Sequence, residues 1–454
     1  MNHTSVLAMC LDRLSWSPDR LAREINRVCG EGTISAKAPY NWLKGSCPRH
    51  GLPRVVSEIL AERLGEPVPV HSLWPGKFPP TAPEPGQDRL PGTPPAPCHP
   101  AYTVPAVRRH PAPPITATGD QTLITTAVDW LLNTDSPPAA RLRGEEVDAR
   151  ALGMISERIA QFRRLDDDRG GRLLLDWAVQ DLRWARTLID TGSYDQETGV
   201  RLHGLVAELC QLAGWVAADL GDEAHGRLYL LQALHSARSA GDRALGAHII
   251  SCLSYLATWH GRGDEALRLI QIARKGTADQ PPSPGQALLA SRQARAHAAL
   301  GDPEGCRRAL EETAGISEAI DETQWMTEPK GREPWAYWVT PAVLVGDAGR
   351  ARLEIGRTGR AALDLARGLE LFDDSQPRNR MLHHTSLAEA RLSLGEVDGA
   401  AQAAGAALDL AGQVASARGR ARLAGLRRQF QQHDAAEARR IVQRTDHVLD
   451  SVQS

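Results

Sequence analysis

Between Gly32 and Ser57 the chain carries Lys37, Lys44, Arg49 and Arg54, with His50, and no carboxylate. The flanking stretches are acidic or mixed, with Asp12, Asp19, Glu24 and Glu31 before the patch and Glu58, Glu62 and Glu66 after it. A patch of one sign is the chemistry of phosphate binding, in which cationic side chains displace the counterions of a polyanion. Lys37, Tyr40 and Asn41 are placed to reach base edges, and Lys44, Arg49 and Arg54 to reach phosphates. Trp42 and Leu43 read as core. A second candidate group is aromatic. Trp325, Trp335, Tyr337 and Trp338 fall within residues 324–341, four of only 21 aromatic residues in the chain. Such rings either anchor a ligand or peptide or fill a local gap in the packing.

The basic patch needs a scaffold, and the surrounding sequence supplies one. Ser17, Pro18 and Asp19 form a helix start, as N-cap, first helical residue and dipole complement. Leu21, Ile25 and Val28 then share one helix face. A break at residues 29–33 leads into Ile34–Gly45, and a third amphipathic helix runs from Pro53 to Leu64. Pro39 is tolerable in the second helix if that helix begins at Ala38. Helix, short turn, helix with an inward Trp, Gly stop and further helix is the layout of a Cro/repressor-type helix-turn-helix domain. Residues 1–76 are assigned to it.

Residues 77–114 hold 13 prolines and almost no periodic apolar signal. Such a segment cannot bury enough surface to fold, so 77–120 reads as a disordered, Pro-rich linker. From residue 121 the pattern is helical throughout. Gly221, Gly261, Gly301, Gly356 and Gly395 recur at intervals of 40, 40, 55 and 39 residues. Seven residues before each, five after and twelve after, all fifteen positions hold small residues, from Gly214, Gly226 and Ala233 to Ala388, Ala400 and Ala407. Antiparallel helices approaching closely at fixed depths require this. The spacing resembles the tetratricopeptide repeat. Residues 121–200 then read as a helical cap and 201–454 as the repeat solenoid, with a closing helix pair at 414–450. The 55-residue interval implies an insertion of about 15 residues, the one that holds the aromatic group; solenoid insertions tend to fall on one face, often the binding face.

Other classes of function find little support. No phosphate-binding loop, nucleophile elbow or zinc-protease motif occurs, so no catalysis, metal or cofactor is expected. Seven scattered cysteines without a CxxC pair suggest reduced thiols in a cytoplasmic protein. No segment has the apolar length of a membrane span. Adjacent His383 and His384 read as exposed, Asp166-Asp167-Asp168 as a solvated turn or cap, and Arg418, Arg420, Arg422, Arg427 and Arg428 as the solvated face of a terminal helix. Arginine outnumbers lysine 48 to 5, which suggests a GC-rich, actinobacterial source.

The phrases KAPYNWLKGSCPR (37–49) and LGEPVPVHSLWP (64–75), joined to a proline-rich tether and tetratricopeptide-like repeats, resemble a family of actinobacterial transcriptional regulators. So do Leu165–Gly171, Glu208–Gly221, Ala240–Gly246 and the arginine run from Ser416 to Leu426. Members of that family often repress morphological differentiation and antibiotic production. The resemblance implies a regulator of secondary metabolism or development. The helical pattern makes it all-α, and because one helix-turn-helix unit reads only a half-site of double-stranded DNA, a homodimer is expected. Its solenoid would sense a peptide, small molecule or protein. The alternative is a repeat scaffold that assembles a signalling complex without binding DNA.

Overall fold

The computed structural model describes residues 5–29, 32–48, 52–78, 120–132, 138, 140–321, 325, 334–373 and 376–450. Arg49 and almost all of the proline-rich linker lie outside the described residues. Within them the chain is helical, with three isolated β-bridges and no strand. No described helix is long and apolar enough to cross a membrane.

Five short helices form an N-terminal unit: α1 (Val6–Arg13), α2 (Pro18–Cys29), α3 (Ala38–Leu43), α4 (Leu52–Leu64) and α5 (Val70–Leu73). Their apolar faces converge on Leu21, Ile25, Val55, Ile59 and Leu60, and Trp42 meets Trp74 edge-on with centroids 6.4 Å apart. Helix α3 begins at Ala38, so Pro39 falls in its first turn, where its missing N–H has no intrahelical partner to lose.

Three helices precede the repeats: α6 (Asp120–Leu131), α7 (Ala149–Asp168) and α8 (Arg172–Thr191). Helices α7 and α8 pack on α9 (Gln196–Asp219), whereas α6 lies across α10 (Glu223–Ser239) and α12 (Gly263–Gly276). Antiparallel pairs then succeed one another. They are α9 with α10, α11 (Arg243–Trp259) with α12, α13 (Pro284–Ala299) with α14 (Pro303–Ala319), and α15 (Pro341–Glu354) with α16 (Thr358–Leu371). Next come α17 (Pro377–Ser393) with α18 (Val397–Ala411), and α19 (Ala417–Phe430) with α20 (Ala436–Asp450).

All fifteen small positions are buried. Where α9 ends, Gly221 has φ 93°, and the Asp222 N–H reaches back to the Ala217 carbonyl at 2.9 Å, a Schellman closure. The Asp222 side chain then caps α10 by accepting from the His225 N–H. The recurrent Gly-Asp dipeptide thus ends one helix and starts the next. Gly349 shows why the interior positions are small. A Cβ there would stand 2.7 Å from Leu365 Cγ and 3.0 Å from the Leu365 backbone nitrogen, forcing α15 away from α16. Gly349→Val is expected to cost about 1–3 kcal/mol by overpacking. Gly315→Ala on α14, where a new Cβ meets nothing within 4 Å, should be neutral or stabilising by up to about 1 kcal/mol. Paired denaturation curves of the two variants test this.

The solenoid closes on itself. Helix α7 touches α17, and the Ala415 N–H donates to the Arg169 carbonyl at 2.9 Å. Arg378 on α17 binds Asp166 on α7 at 2.9 Å and lies 3.5 Å from Asp219 at the end of α9. Ser416 also donates to Asp219, at 2.9 Å. Helix α7 and the end of α9 therefore meet α17 and the start of α19 around an interior channel.

Candidate functional site

Of the residues selected from the sequence, Lys37, Tyr40, Asn41 and Lys44 come together as the exposed face of α3. Pro39 and Trp42 occupy its buried face. The turn that sets α3 against α2 is held by one side chain. Asn26 accepts from the Ile34 N–H at 2.9 Å and donates to the Ile34 carbonyl at 3.0 Å. Tyr40 is 41% exposed, and its hydroxyl donates to Asp19 at 2.6 Å, which fixes the ring over the start of α2. The acids of this unit are largely engaged elsewhere. Hydrogen bonds from Arg27, with a further one from Arg63, hold the Glu24 carboxyl down at about 2, and Glu66 pairs with Arg13. The outward face of α3 therefore carries Lys37 and Lys44, with the Asp19 carboxylate at its edge through Tyr40.

Arg54 is not part of that face. It lies on α4, half-buried against the solenoid, and its guanidinium donates to the Ser393 carbonyl at 3.3 Å. The same side of α4 directs Glu58 at the Gly359 N–H (3.4 Å) and Glu62 at Arg360 (3.5 Å) and Arg307 (3.7 Å). Leu363 of α16 packs onto the N-terminal core. Burial pushes the Glu58 carboxyl up, against Arg357 and Arg360. The N-terminal unit is thus docked on the fourth helix pair with α3 turned outward.

The second site is the interior channel, which holds a cavity with a water-accessible volume of about 160 Å³. The aromatic insertion forms part of its wall. Trp335 is buried and stacks on His248 with centroids 4.2 Å apart, and Trp338 stands 5.9 Å from the Arg292 guanidinium. Tyr337 donates to Asp167 across the channel. Trp325 packs against the core and is not among the lining residues. The insertion is therefore packing and cavity wall at once.

Three readings drawn from local sequence are corrected here. His383 is buried in the cavity wall; burial pushes its imidazole down to about 4. Asp166 and Asp167 line the cavity instead of forming a solvated turn; Asp166 is the buried partner of Arg378. Arg418 and Arg422 point inward from α19, and Arg418 is buried. Adjacency, charge runs and amphipathic periodicity are local signals. None of them reveals partners brought in from distant repeats.

Seven arginines line this cavity, Arg163, Arg292, Arg295, Arg350, Arg378, Arg418 and Arg422, against four carboxylates, Asp166, Asp167, Asp347 and Glu354. Three further acids that pair with the arginines, Glu208, Asp219 and Glu389, do not line it. Arg292 lies 4.2 Å over the Tyr255 ring, and Arg418 lies 5.1 Å from Trp215, 5.4 Å from Tyr255 and 5.7 Å from Trp259. Arg418 also donates to the Tyr255 hydroxyl at 3.0 Å. Burial alone would raise that phenol; Arg418, Arg292 and Arg295 outweigh it and hold Tyr255 below its ordinary value. Perturbed groups gathered in one concavity make it the candidate ligand site of the solenoid.

Burial pushes Asp167 up to about 7, with Asp166 adding to the effect and Tyr337, Arg378 and Arg163 opposing it. Because the folded value exceeds the unfolded one, the associated stability is complete below about pH 4 and is lost as pH rises through about 7. Asp167→Asn removes this dependence. The variant is expected to gain on the wild type as pH rises from about 4 to 8. A stability difference constant with pH would show that Asp167 titrates as it does in water.

Residues 7–73, the stretch that forms the N-terminal unit, match the family model described as the SP15 N-terminal domain. No curated protein matches the chain.

Proposed function

We propose that this chain is a DNA-binding transcriptional regulator in which the N-terminal unit reads DNA and the solenoid receives a signal. The observation that carries the reading is the outward face of α3, with Lys37, Tyr40, Asn41 and Lys44 exposed together and no acid between Gly32 and Ser57 in the sequence. An exposed helix face of this kind on a small helical core, with Lys37 and Asn41 turned outward, supports a reading in which α3 enters the major groove. The regulators that the sequence resembles place the reading in secondary metabolism or development. One such unit reads a half-site, so the active form is a homodimer.

Selection of genomic fragments by the wild type and by a Lys37→Ala/Asn41→Ala variant tests the reading. A recurrent, roughly palindromic site that the variant loses is the expected result. No enriched site from folded wild-type protein would sink it and favour the scaffold reading, in which the solenoid assembles protein partners.

A further inference from the structure

A solenoid that needed only stability would fill its channel with apolar side chains. Buried ion pairs replaced by apolar residues of similar volume are often neutral or even more stable. Here the channel instead keeps Arg292, Arg295, Arg350, Arg378 and Arg418 buried. Their guanidiniums line the cavity; Asp219, beside Arg378 and Arg418, and Glu389, beside Arg350, do not, whereas Asp166, Asp347 and Glu354 line it with them. Among the cavity residues, His248 is 3% exposed, and its Nδ1 has no hydrogen-bond partner. The Nδ1 of His383 is likewise buried without a partner. Polar groups left so inside a wall of Trp and Tyr rings are sites for a ligand's own donors and acceptors. A partner's helix, about 10–12 Å across with its side chains, is too thick for this space.

From this geometry we infer that the cavity binds a small organic anion, a carboxylate or phosphate carried on a flat aromatic body. The acidic group lies against Arg292 and Arg418, and the flat body lies among Trp215, Tyr255, Trp259 and Trp338. Planar guanidiniums suit both halves of such a molecule, because their edges donate in pairs to an oxyanion and their faces stack on rings. The lowered Tyr255 hydroxyl is consistent with excess positive potential at this point.

The inference rests on the reading of the solenoid as the receiving module and is independent of what α3 contacts. Its test is titration of the full chain with 1-naphthoate, its neutral analogue 1-naphthamide, and adenosine monophosphate, followed by tryptophan fluorescence and calorimetry. At least one anion is expected to bind saturably, and naphthoate more tightly than naphthamide by about tenfold, as a charge-assisted contact implies. Ala421 lines the cavity on α19. Ala421→Trp fills the space without removing an ion pair and should abolish binding while the chain stays folded by circular dichroism. Arg292→Lys keeps a charge for Asp347 but loses the planar fork, and should weaken the anion alone. Equal binding of naphthoate and naphthamide, binding undiminished in Ala421→Trp, or no binding of either anion at millimolar concentration would overturn the inference. Fragment selection run on the same preparations separates the two failures: loss of the DNA site with anion binding intact overturns only the DNA reading, and the reverse only this one.

Discussion

Replacement of Arg378 by alanine is expected to lower the unfolding free energy by about 3–5 kcal/mol, the usual cost of stranding one partner of a buried ion pair. Arg378 is 6% exposed and makes two contacts to the Asp166 carboxylate, at 2.9 and 3.0 Å. Its removal leaves Asp166 buried without its counter-charge, while Asp219 keeps Arg418 and Ser416. The loss falls where the last pairs meet the first, so it should also open the channel. The double variant Arg378→Met/Asp166→Leu removes both charges and is expected to recover most of the stability. Urea denaturation of the three proteins checks this. A single variant as stable as the wild type would mean that the ring does not depend on this pair. A double variant no better than the single would place the energy in the surrounding packing.

The second large effect concerns α3. Asn41→Ala is expected to relax sequence preference at one base pair by about 1–3 kcal/mol, the worth of a bidentate contact to adenine. Lys44→Ala should weaken binding to all sequences alike and flatten the log–log salt dependence by about 0.9. Arg54→Ala should leave that slope unchanged, since its guanidinium is directed at the Ser393 carbonyl and not outward with α3. Affinities measured at several salt concentrations separate the three. A salt slope reduced in Arg54→Ala as in Lys44→Ala would show that the N-terminal unit leaves the solenoid to bind.

The sequence disclosed what local physics enforces. Gly214, Gly349 and their equivalents are small because the facing helix leaves no room for a large side chain, and a 40-residue register records that directly. The start of α3 at Ala38 meets the condition under which the fixed φ of Pro39 and its missing N–H are tolerable. What remained hidden depends on curvature. Asp166 and Arg378 are 212 residues apart in the chain, and only the accumulated rotation of the intervening pairs brings them into contact. His383, Arg418 and Arg422 carry the same local signature as solvated residues, and the superhelix alone turns them inward. The docking of α4 on α16 was equally invisible, because Glu58, Glu62 and Arg54 resemble any exposed helix face until Gly359 and Arg360 are placed against them.

That docking has a consequence for concentration. The N-terminal unit sits on the fourth helix pair, yet it is joined covalently to α6, which precedes the first pair in sequence. The covalent connection through residues 79–119 makes the encounter unimolecular, so its effective concentration is set within one molecule. The contact through Arg54, Glu58, Glu62 and Leu363 is thereby an intramolecular one. Its strength is governed by the length of chain between the modules as much as by the residues that touch. Lengthening that segment would loosen the head from the solenoid without altering a single contact.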